Sequence, residues 1–193
     1  MAVVLIPDEK RRIEDAFEIA AFLAPFGIVH QRWPLEERVD PAAPPEAILA
    51  AYAPEIEALK AAGGYVVADV IAIGPDTPNL AVLLDKFRKE HTHSEDEVRF
   101  ILKGRGLFHV RPEHGPVFAI QVEAGDLINV PRDTKHWFDL CADRTIRAIR
   151  LFQDTSGWTP HYIADETHAL YVPVCWNAQQ IEPERSFTPA VTV

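Results

Sequence analysis

The sequence predicts a mainly β protein, a sandwich or barrel of antiparallel strands that follows a helical N-terminal part. Beyond position 91, short β-rich runs alternate with Gly, Pro and Asp at about eight to twelve residue intervals, which is typical of antiparallel strands. The length of 193 residues suits one domain with a sizeable core, and 48% hydrophobic residues with 25% charged residues is an ordinary globular composition. We therefore expect a single domain over residues 1–193.

The N-terminal part, residues 1–88, is expected to be helical with one or two strands. Helical spacing of apolar residues marks three segments: residues 7–27, residues 47–62 with a break at Pro54, and a segment opened by Thr77-Pro78. In the first of them, Ile13 and Phe17 begin the apolar stripe of a surface helix, and Asp8 is placed to cap it. Between the second and third segments, YVVADVIAI at 65–73 predicts a strand.

Residues 89–154 are expected to form the barrel, and residues 155–193 an irregular tail packed on it. The predicted strands are EVRFIL, GLFHVRP, PVFAIQV, DLINVP, HWFDL and TIRAIRLFQ. GRG at 104–106 is interpreted as a hairpin turn between the first two rather than a phosphate loop, because a strand and not a helix follows it.

The composition excludes several classes of partner. With 29 acidic and 19 basic residues, the net charge of −10 repels phosphate backbones and anionic membranes, so no nucleic acid partner is expected. No stretch approaches the roughly 20 apolar residues of a membrane helix, and the apolar run at the N-terminus is too short for a signal sequence. Cys141 and Cys175 are too few for a disulfide framework. We interpret them as free thiols of a cytoplasmic protein.

The stretch HTHSEDEVRFILKG, residues 91–104, predicts a metal site. On a strand, His91 and His93 point to the same face, and Glu97 and Arg99 share a face of the strand that follows the SED turn. A hairpin at SED would bring Glu97 back beside the two imidazoles. Two histidines and one carboxylate form the facial ligand set typical of non-haem iron(II) oxygenases.

His136 is the candidate for a fourth ligand. It opens an apolar strand after the tight turns of GDLINVPRDTKHWFDL and would share a face with Phe138. For a lone histidine beside Trp137, a core residue bonded to backbone would be the preferred interpretation. When His136 is considered together with HTHSEDE, the interpretation of His136 as a metal ligand is favoured.

The two stretches together carry a family pattern. The first motif, H-x-H-x3-E-x6-G, is His91, His93, Glu97 and Gly104; the second, G-x5-P-x-D-x2-H, is Gly125, Pro131, Asp133 and His136. They resemble the two motifs of the cupin superfamily, although Asp133 stands where many cupins have glycine and Leu140 where many have asparagine. The strings EHTHSEDEVRFILKGRGLF, GDLINVPRDTKHWFDL, AIRLF and AAYAPEIEALKAAGGY resemble the acireductone dioxygenase family. This resemblance covers residues from about 48 to 158.

The resemblance implies a cupin-type, jelly-roll-like antiparallel β-barrel with the N-terminal helices packed outside. It implies one Fe(II) or Ni(II) per chain, held by His91, His93, Glu97 and His136. The substrates would be O2 and an acireductone of methionine salvage, 1,2-dihydroxy-3-keto-5-methylthiopentene. The iron form would give formate and 4-methylthio-2-oxobutanoate, and the nickel form formate, carbon monoxide and 3-methylthiopropanoate. The ligands alone do not choose the metal. The family also suggests a monomer.

Two arginines are candidates for binding the substrate. The resemblance gives Arg99 the catalytic role of favouring the deprotonated acireductone; the alternative is an ordinary ion pair with Glu97 or Glu95. Arg150 stands alone on an otherwise apolar strand face, where a buried arginine needs an anionic partner, and the family match places it in the site.

The remaining candidates are aromatic or acidic. Phe87, Phe138 and Trp158 match aromatic positions that wall the family's pocket, although the first two could equally be plain core. Glu90 and Asp96 match positions linked in the family to metal loading and to relaying conformational change; they could orient imidazole N–H groups or be solvated charges.

Two other functions share the ligand pattern. Another cupin metalloenzyme, a different dioxygenase or an isomerase, would share the four ligands but not Arg99, Arg150 and the aromatic wall. A cupin module that binds a small molecule without catalysis is the alternative from another class, and the intact ligand set weakens it.

Overall fold

The computed structural model describes residues 1–35, 38–154 and 159–176. In these ranges eleven strands form a continuous, branched and almost entirely antiparallel sheet, which confirms the mainly β fold. The strands are β1 (Val3–Ile6), β2 (Arg11–Ile13), β3 (Val29–Arg32), β4 (Val67–Ile73), β5 (His91–Thr92), β6 (Glu97–Arg111), β7 (Phe118–Glu123), β8 (Asp126–Val130), β9 (Lys135–Leu140), β10 (Ile146–Phe152) and β11 (His161–Tyr162). The α-helices are α1 (Ala16–Leu23), α2 (Pro45–Ala51), α3 (Ala53–Gly63) and α4 (Leu80–Arg88).

The N-terminal part contributes four strands, β1 to β4, where the sequence predicted one or two. The helix expected over residues 7–27 was wrong in its first half: β1 and β2 form a hairpin there, and α1 starts only at Ala16. Asp15 caps it, because its carboxylate accepts hydrogen bonds from the backbone N–H groups of Phe17 and Glu18. β1 pairs with β7, more than a hundred residues away, so its burial was decided by a partner that local periodicity does not reveal.

The other N-terminal elements agree with the sequence analysis. α2 and α3 cover the second predicted helix with the break just before Pro54, β4 covers most of residues 65–73, and α4 precedes the histidine cluster. Gly64 ends α3 in the left-handed conformation, with φ of 70°.

β6 is one strand of 15 residues that belongs to both halves of the sheet. Its first part pairs with β8 and β10, and its second part with β7 and β9. The hairpin turn predicted at 104–106 is therefore wrong. Gly104 instead pairs with Ile146 of β10, where its φ is +78° and a Cβ atom would come within 1.9 Å of the carbonyl oxygen of Thr145. The pairing with β10 is irregular two residues earlier, at Leu102.

The two halves of the sheet enclose the main core. One half runs β11-β5-β9-β6-β7-β1-β2, and the other contains β4, β10, β6, β8 and β3. Buried Phe108, Phe118 and Ile120 belong to the core between them. A second cluster, which includes Ile48 and Phe100, packs α2 and α3 against the outer side of the second half.

The two cysteines form a disulfide, Cys141–Cys175, so the interpretation as free thiols was wrong. Their 34-residue separation gave no spacing signal, and the bond joins the loop after β9 to residues 171–176 of the tail. The side-chain amide of Gln121 also holds the tail: it donates to the backbone oxygen of Trp176 and accepts from its N–H. No helix in the described ranges is long and apolar enough to span a membrane.

Candidate metal centre

Three buried histidines meet at one end of the barrel. His91 on β5 lies directly opposite His136 on β9 in the antiparallel register, and His93 follows at the end of β5. One nitrogen of each ring lies within 4.8 Å of the corresponding atom of the others. At most 7% of each residue is exposed, so water cannot solvate them freely. The structure thus brings together the three histidines that the sequence singled out.

The outer ring nitrogens fix the tautomer of each imidazole. In all three, Nδ1 lies within hydrogen-bonding distance of a backbone carbonyl oxygen: His91 of Lys89 at 2.6 Å, His93 of Thr159 at 3.1 Å, and His136 of Thr134 at 2.7 Å. A carbonyl only accepts, so Nδ1 carries the proton. Each Nε2 is left with a lone pair to offer a metal ion.

Glu97 reaches the histidines from β6. The hairpin expected at SED does not form, because Glu97 pairs with Val130 of β8 while His91 pairs with β9. The closure of the barrel brings the carboxylate in instead. Its Oε2 lies 2.8 Å from Nε2 of His136 and 3.6 Å from Nε2 of His93.

The contact between Glu97 and His136 is the test of whether a cation fits here. Although Oε2 and Nε2 are 2.8 Å apart, the Nε2 atom is buried and has no hydrogen-bond partner of acceptable direction. Two lone pairs at that distance repel each other unless a cation lies beside them. Three imidazole nitrogens and one carboxylate oxygen are ligands suited to a divalent transition metal.

The protonation states of the candidate ligands also suit metal binding. Burial lowers the pKa of His91 to about 4 and lowers that of His93, so both imidazoles are neutral at pH 7. Burial by itself would raise the pKa of Glu97, but the charge of the neighbouring Arg99 is the largest effect against it, and the pKa of Glu97 lies well below its usual range. His91, His93 and Glu97 are therefore in their metal-binding forms at neutral pH.

Arg99 forms the ion pair considered for it and also faces the pocket. Its Nε donates to Oε1 of Glu97 at 2.6 Å, so the ion pair with Glu97 is present. The same guanidinium faces the pocket, 6.0 Å from the ring centre of Phe87 and 5.4 Å from that of Phe138. Arg99 thus orients the carboxylate with one edge and brings a positive charge to the pocket beside two aromatic rings.

Arg150 has the anionic partner that was expected for it, although it is half-buried rather than buried. Asp69 of β4, which sequence reasoning did not single out, accepts two hydrogen bonds from it, at 2.8 Å from Nε and 2.6 Å from Nη2. The two residues are direct partners in the register of β10 and β4. Only strand pairing brings them together, so no local sequence signal marks Asp69.

The pocket over the histidines has a volume of about 200 Å³. Its walls are formed by side chains from α4, β6, β9, β10 and the tail: Lys86, Phe87, His91, His93, Glu97, Arg99, His136, Phe138, Arg150, Pro160 and Tyr162. Phe87 and Phe138 both line it while they also pack on the core, so the two interpretations of these rings are compatible. Trp158 lies outside the described residues.

The carboxylates of Glu90 and Asp96 are not the groups that accept hydrogen bonds from the imidazole Nδ1 atoms. Glu90 is fully buried and accepts two hydrogen bonds from Arg111, at 2.6 and 2.9 Å. Asp96 accepts from the backbone N–H of Arg132 and from the hydroxyl of Tyr65. Backbone carbonyls orient the Nδ1 atoms, and these partners could not be identified from residue types.

Residues 159–165, called here the strap, cross the edge of the site. β11 lies within the strap and pairs with β5, with Tyr162 opposite His91. The carbonyl of Thr159 holds His93, and the N–H of Ile163 donates to the carbonyl of Glu90 at 2.8 Å. At the far end, Asp165 forms an ion pair of 2.8 Å with Arg111. The sequence analysis expected an irregular tail and missed this part of the site.

Sequence comparison identifies relatives over most of the chain. The family described as the ARD/ARD' family matches residues 7–160. An acireductone dioxygenase from Picosynechococcus is 42% identical over 171 residues, which is 89% of this chain and 97% of the relative. One from Synechococcus strain RCC307 is 46% identical over 159 residues, which is 81% of this chain and 84% of the relative.

A solved structure shares the fold. It is an acireductone dioxygenase from Bacillus anthracis with a cadmium ion in its active center, 38% identical to this chain. The superposition has a TM-score of 0.79 and covers 84% of this chain and 98% of the other. The match extends over nearly the whole relative, so the barrel and its additional N-terminal elements are shared.

Proposed function

The chain belongs to the ARD/ARD' family of cupin metalloenzymes, and we propose from its site that it binds one Fe(II) or Ni(II) and cleaves an acireductone with O2. The observation that carries the proposal is the meeting of four donors, His91, His93, Glu97 and His136, at the base of a pocket that also contains Arg99. The substrate would be 1,2-dihydroxy-3-keto-5-methylthiopentene, as the sequence resemblance implied.

The charges around the pocket favour an anionic substrate. Arg99 offsets Glu97, and Arg150 offsets Asp69, so the charge of a bound divalent cation is left uncompensated. An acireductone is acidic, and its deprotonated form places negative charge where the metal and Arg99 lie. A neutral ligand would gain less from this arrangement than an anion.

Each protein group has a separate task in the proposed reaction. The carbonyls of Lys89, Thr159 and Thr134 keep Nδ1 protonated and so hold the imidazoles in place. Arg99 stabilises the deprotonated substrate, while Phe87 and Phe138 exclude water from its apolar part. When bound, Fe(II) or Ni(II) supplies the Lewis-acid and redox chemistry that oxidative C–C cleavage requires.

The metal decides the products in this proposal. With iron they are formate and 4-methylthio-2-oxobutanoate, and with nickel formate, carbon monoxide and 3-methylthiopropanoate. Imidazole ligands suit both ions. The alternatives of another cupin enzyme and of a binding module have no support from the relatives, which are acireductone dioxygenases over most of their length.

Reconstitution with one metal at a time tests the proposal. Protein freed of metal is loaded with Fe(II) or Ni(II), mixed anaerobically with the acireductone, and then exposed to O2. We expect rapid loss of the acireductone absorbance with both metals, and carbon monoxide in the headspace only with nickel. Acireductone that decays no faster than in buffer with either metal would contradict the function.

We further propose that the enzyme acts in the cytoplasm as a monomer. Support for the location comes from the proposed substrate, a metabolite of methionine salvage. The disulfide is the feature that needs testing there, since reduced thiols prevail in that compartment. Trapping of free thiols with a maleimide in fresh cell extract determines the state of Cys141 and Cys175, and sedimentation of the purified protein determines the number of subunits.

A further inference from the structure

The pocket has a buried, charged inner end and a more exposed outer end. The four donors and Arg99 are buried at the inner end, where the rings of Phe87 and Phe138 lie close to the Arg99 guanidinium, whereas Arg150 and Tyr162 are more exposed. A substrate whose oxygens bind at the charged end must direct its apolar tail past these rings. The side chains met next determine how long a tail the pocket accepts.

Tyr162 stands at that outer end. Its residue is 49% exposed and lines the pocket, so it lies at the opening rather than in the core. Its ring centre is 6.0 Å from that of His91, its partner across β5 and β11. Its hydroxyl donates to the carbonyl oxygen of Lys86, at 3.4 Å, in the last turn of α4. The side chain therefore spans the opening from the strap to the helix that carries Phe87.

The backbone that carries Tyr162 is held on both sides. The N–H of Ile163 donates to the carbonyl oxygen of Glu90 at 2.8 Å, and Asp165 pairs with Arg111. Arg111 is itself bound to the buried carboxylate of Glu90. Because its backbone is held in this way, the Tyr162 side chain keeps its position when a ligand contacts it. Discrimination between ligands by size requires such a fixed side chain.

We propose that Tyr162 is a specificity-determining residue that limits the length of the substrate's apolar tail. The proposal rests on the proposed function, because it takes an acireductone bound through its oxygens at the charged end. Removing the ring opens the pocket outward and admits longer tails. Enlarging the ring shortens the space and favours shorter tails. The hydroxyl only steadies the ring, so its loss has a smaller effect.

The test measures the affinity of the nickel-loaded full chain for acireductones with methyl, 2-methylthioethyl and hexyl tails. Binding is carried out without oxygen and is monitored by the change in acireductone absorbance. We expect Tyr162→Ala to raise the affinity for the hexyl tail relative to the 2-methylthioethyl tail by about tenfold or more, the range that apolar pockets achieve by size. Tyr162→Trp should shift preference toward the methyl tail. Tyr162→Phe, the matched control, should stay within about twofold of the wild type.

The outcomes separate this proposal from the proposed function. Affinity ratios that are the same in wild type, Tyr162→Ala and Tyr162→Trp would overturn the role of Tyr162, whatever the turnover. Wild-type protein that binds the acireductones but does not consume them with O2 would overturn the function and leave the binding ratios to decide on Tyr162. Nickel content measured for each variant shows that the charged end is intact.

Discussion

Arg99 and Arg150 lie directly opposite each other on β6 and β10, two positive charges in one cross-strand pair. Like charges in such a position destabilise a sheet. Here each arginine has its own carboxylate, Glu97 for Arg99 and Asp69 for Arg150, and both guanidiniums line the metal pocket. The arrangement keeps two cations beside the proposed substrate position at a cost that the two carboxylates offset.

Arg99→Met should retain metal at pH 8 and reduce turnover by about 100-fold or more, the usual effect of removing one group that stabilises developing negative charge. The measurement is kcat with acireductone and O2, with metal content by elemental analysis. Arg105→Met is the matched control, since Arg105 lies on the same strand and pairs with Asp143 away from the pocket. Equal kcat in both variants would reduce Arg99 to an ion-pair partner of Glu97.

His91→Ala and His136→Ala should each lose most of the bound metal, because three donors hold the ion much less firmly than four. Elemental analysis after gel filtration measures the occupancy. His114→Ala is the control, an exposed histidine in the turn before β7. Full occupancy in both ligand variants would show that the metal binds elsewhere.

Arg111→Met should lower the free energy of unfolding by about 3 kcal/mol, since it leaves the fully buried carboxylate of Glu90 without its cation. The double variant Glu90→Gln, Arg111→Met should be more stable than Arg111→Met alone, because it removes the stranded charge. Urea unfolding of the three proteins measures this. A double variant less stable than the single one would mean that the ion pair is not what stabilises the strap.

Cys141→Ser should lower the melting temperature by about 10 °C. Closing a loop with the 34-residue separation of this disulfide contributes about 3 to 4 kcal/mol in the chain-entropy account. A reducing agent should lower the melting temperature of the wild type by a similar amount and leave that of Cys141→Ser unchanged. A wild type insensitive to the reducing agent, with its thiols shown to be free, would contradict the expectation.

Burial lowers the pKa of His109 to about 4 from the ordinary value of 6.5. The unfolded chain therefore takes up a proton at this residue between about pH 6.5 and pH 4 while the folded chain does not. This residue should lower the free energy of unfolding by up to about 3 kcal/mol as the pH falls through that window. Denaturant titrations of metal-loaded wild type and His109→Gln measure the difference in slope, which would be absent if His109 were protonated in the fold.

The candidate metal ligands could be identified from the sequence because local rules bring them together. Residues at i and i+2 on a strand share a face, so His91 and His93 could be paired, and the alternation of β9 put His136 and Phe138 on the same side. The strand-rich second half could be predicted for the same reason. Each of these inferences uses only neighbours in the chain.

What the sequence did not reveal depends on distant partners. β2 was mistaken for part of a helix, since it is only three residues long and pairs with β1, which β7 in turn buries. Asp69 meets Arg150 only through the pairing of β4 with β10, and Cys141 meets Cys175 only after the tail folds back. The partners of the imidazole Nδ1 atoms are backbone carbonyls. Every residue has one, so residue types give no signal for these partners.

The length of β6 fixes the spacing between two parts of the site. Near its start it holds Glu97 and Arg99, and near its end Val110 lies opposite His136. Side chains alternate between the two faces of a strand. One residue inserted or deleted between these points would therefore move the side chains of one end to the opposite face of the sheet. The irregularity at Leu102, in the pairing with β10, lies within this interval. The interval from Glu97 to Val110 should therefore admit substitutions but no change of length, whereas the turn at 112–117 is free to vary.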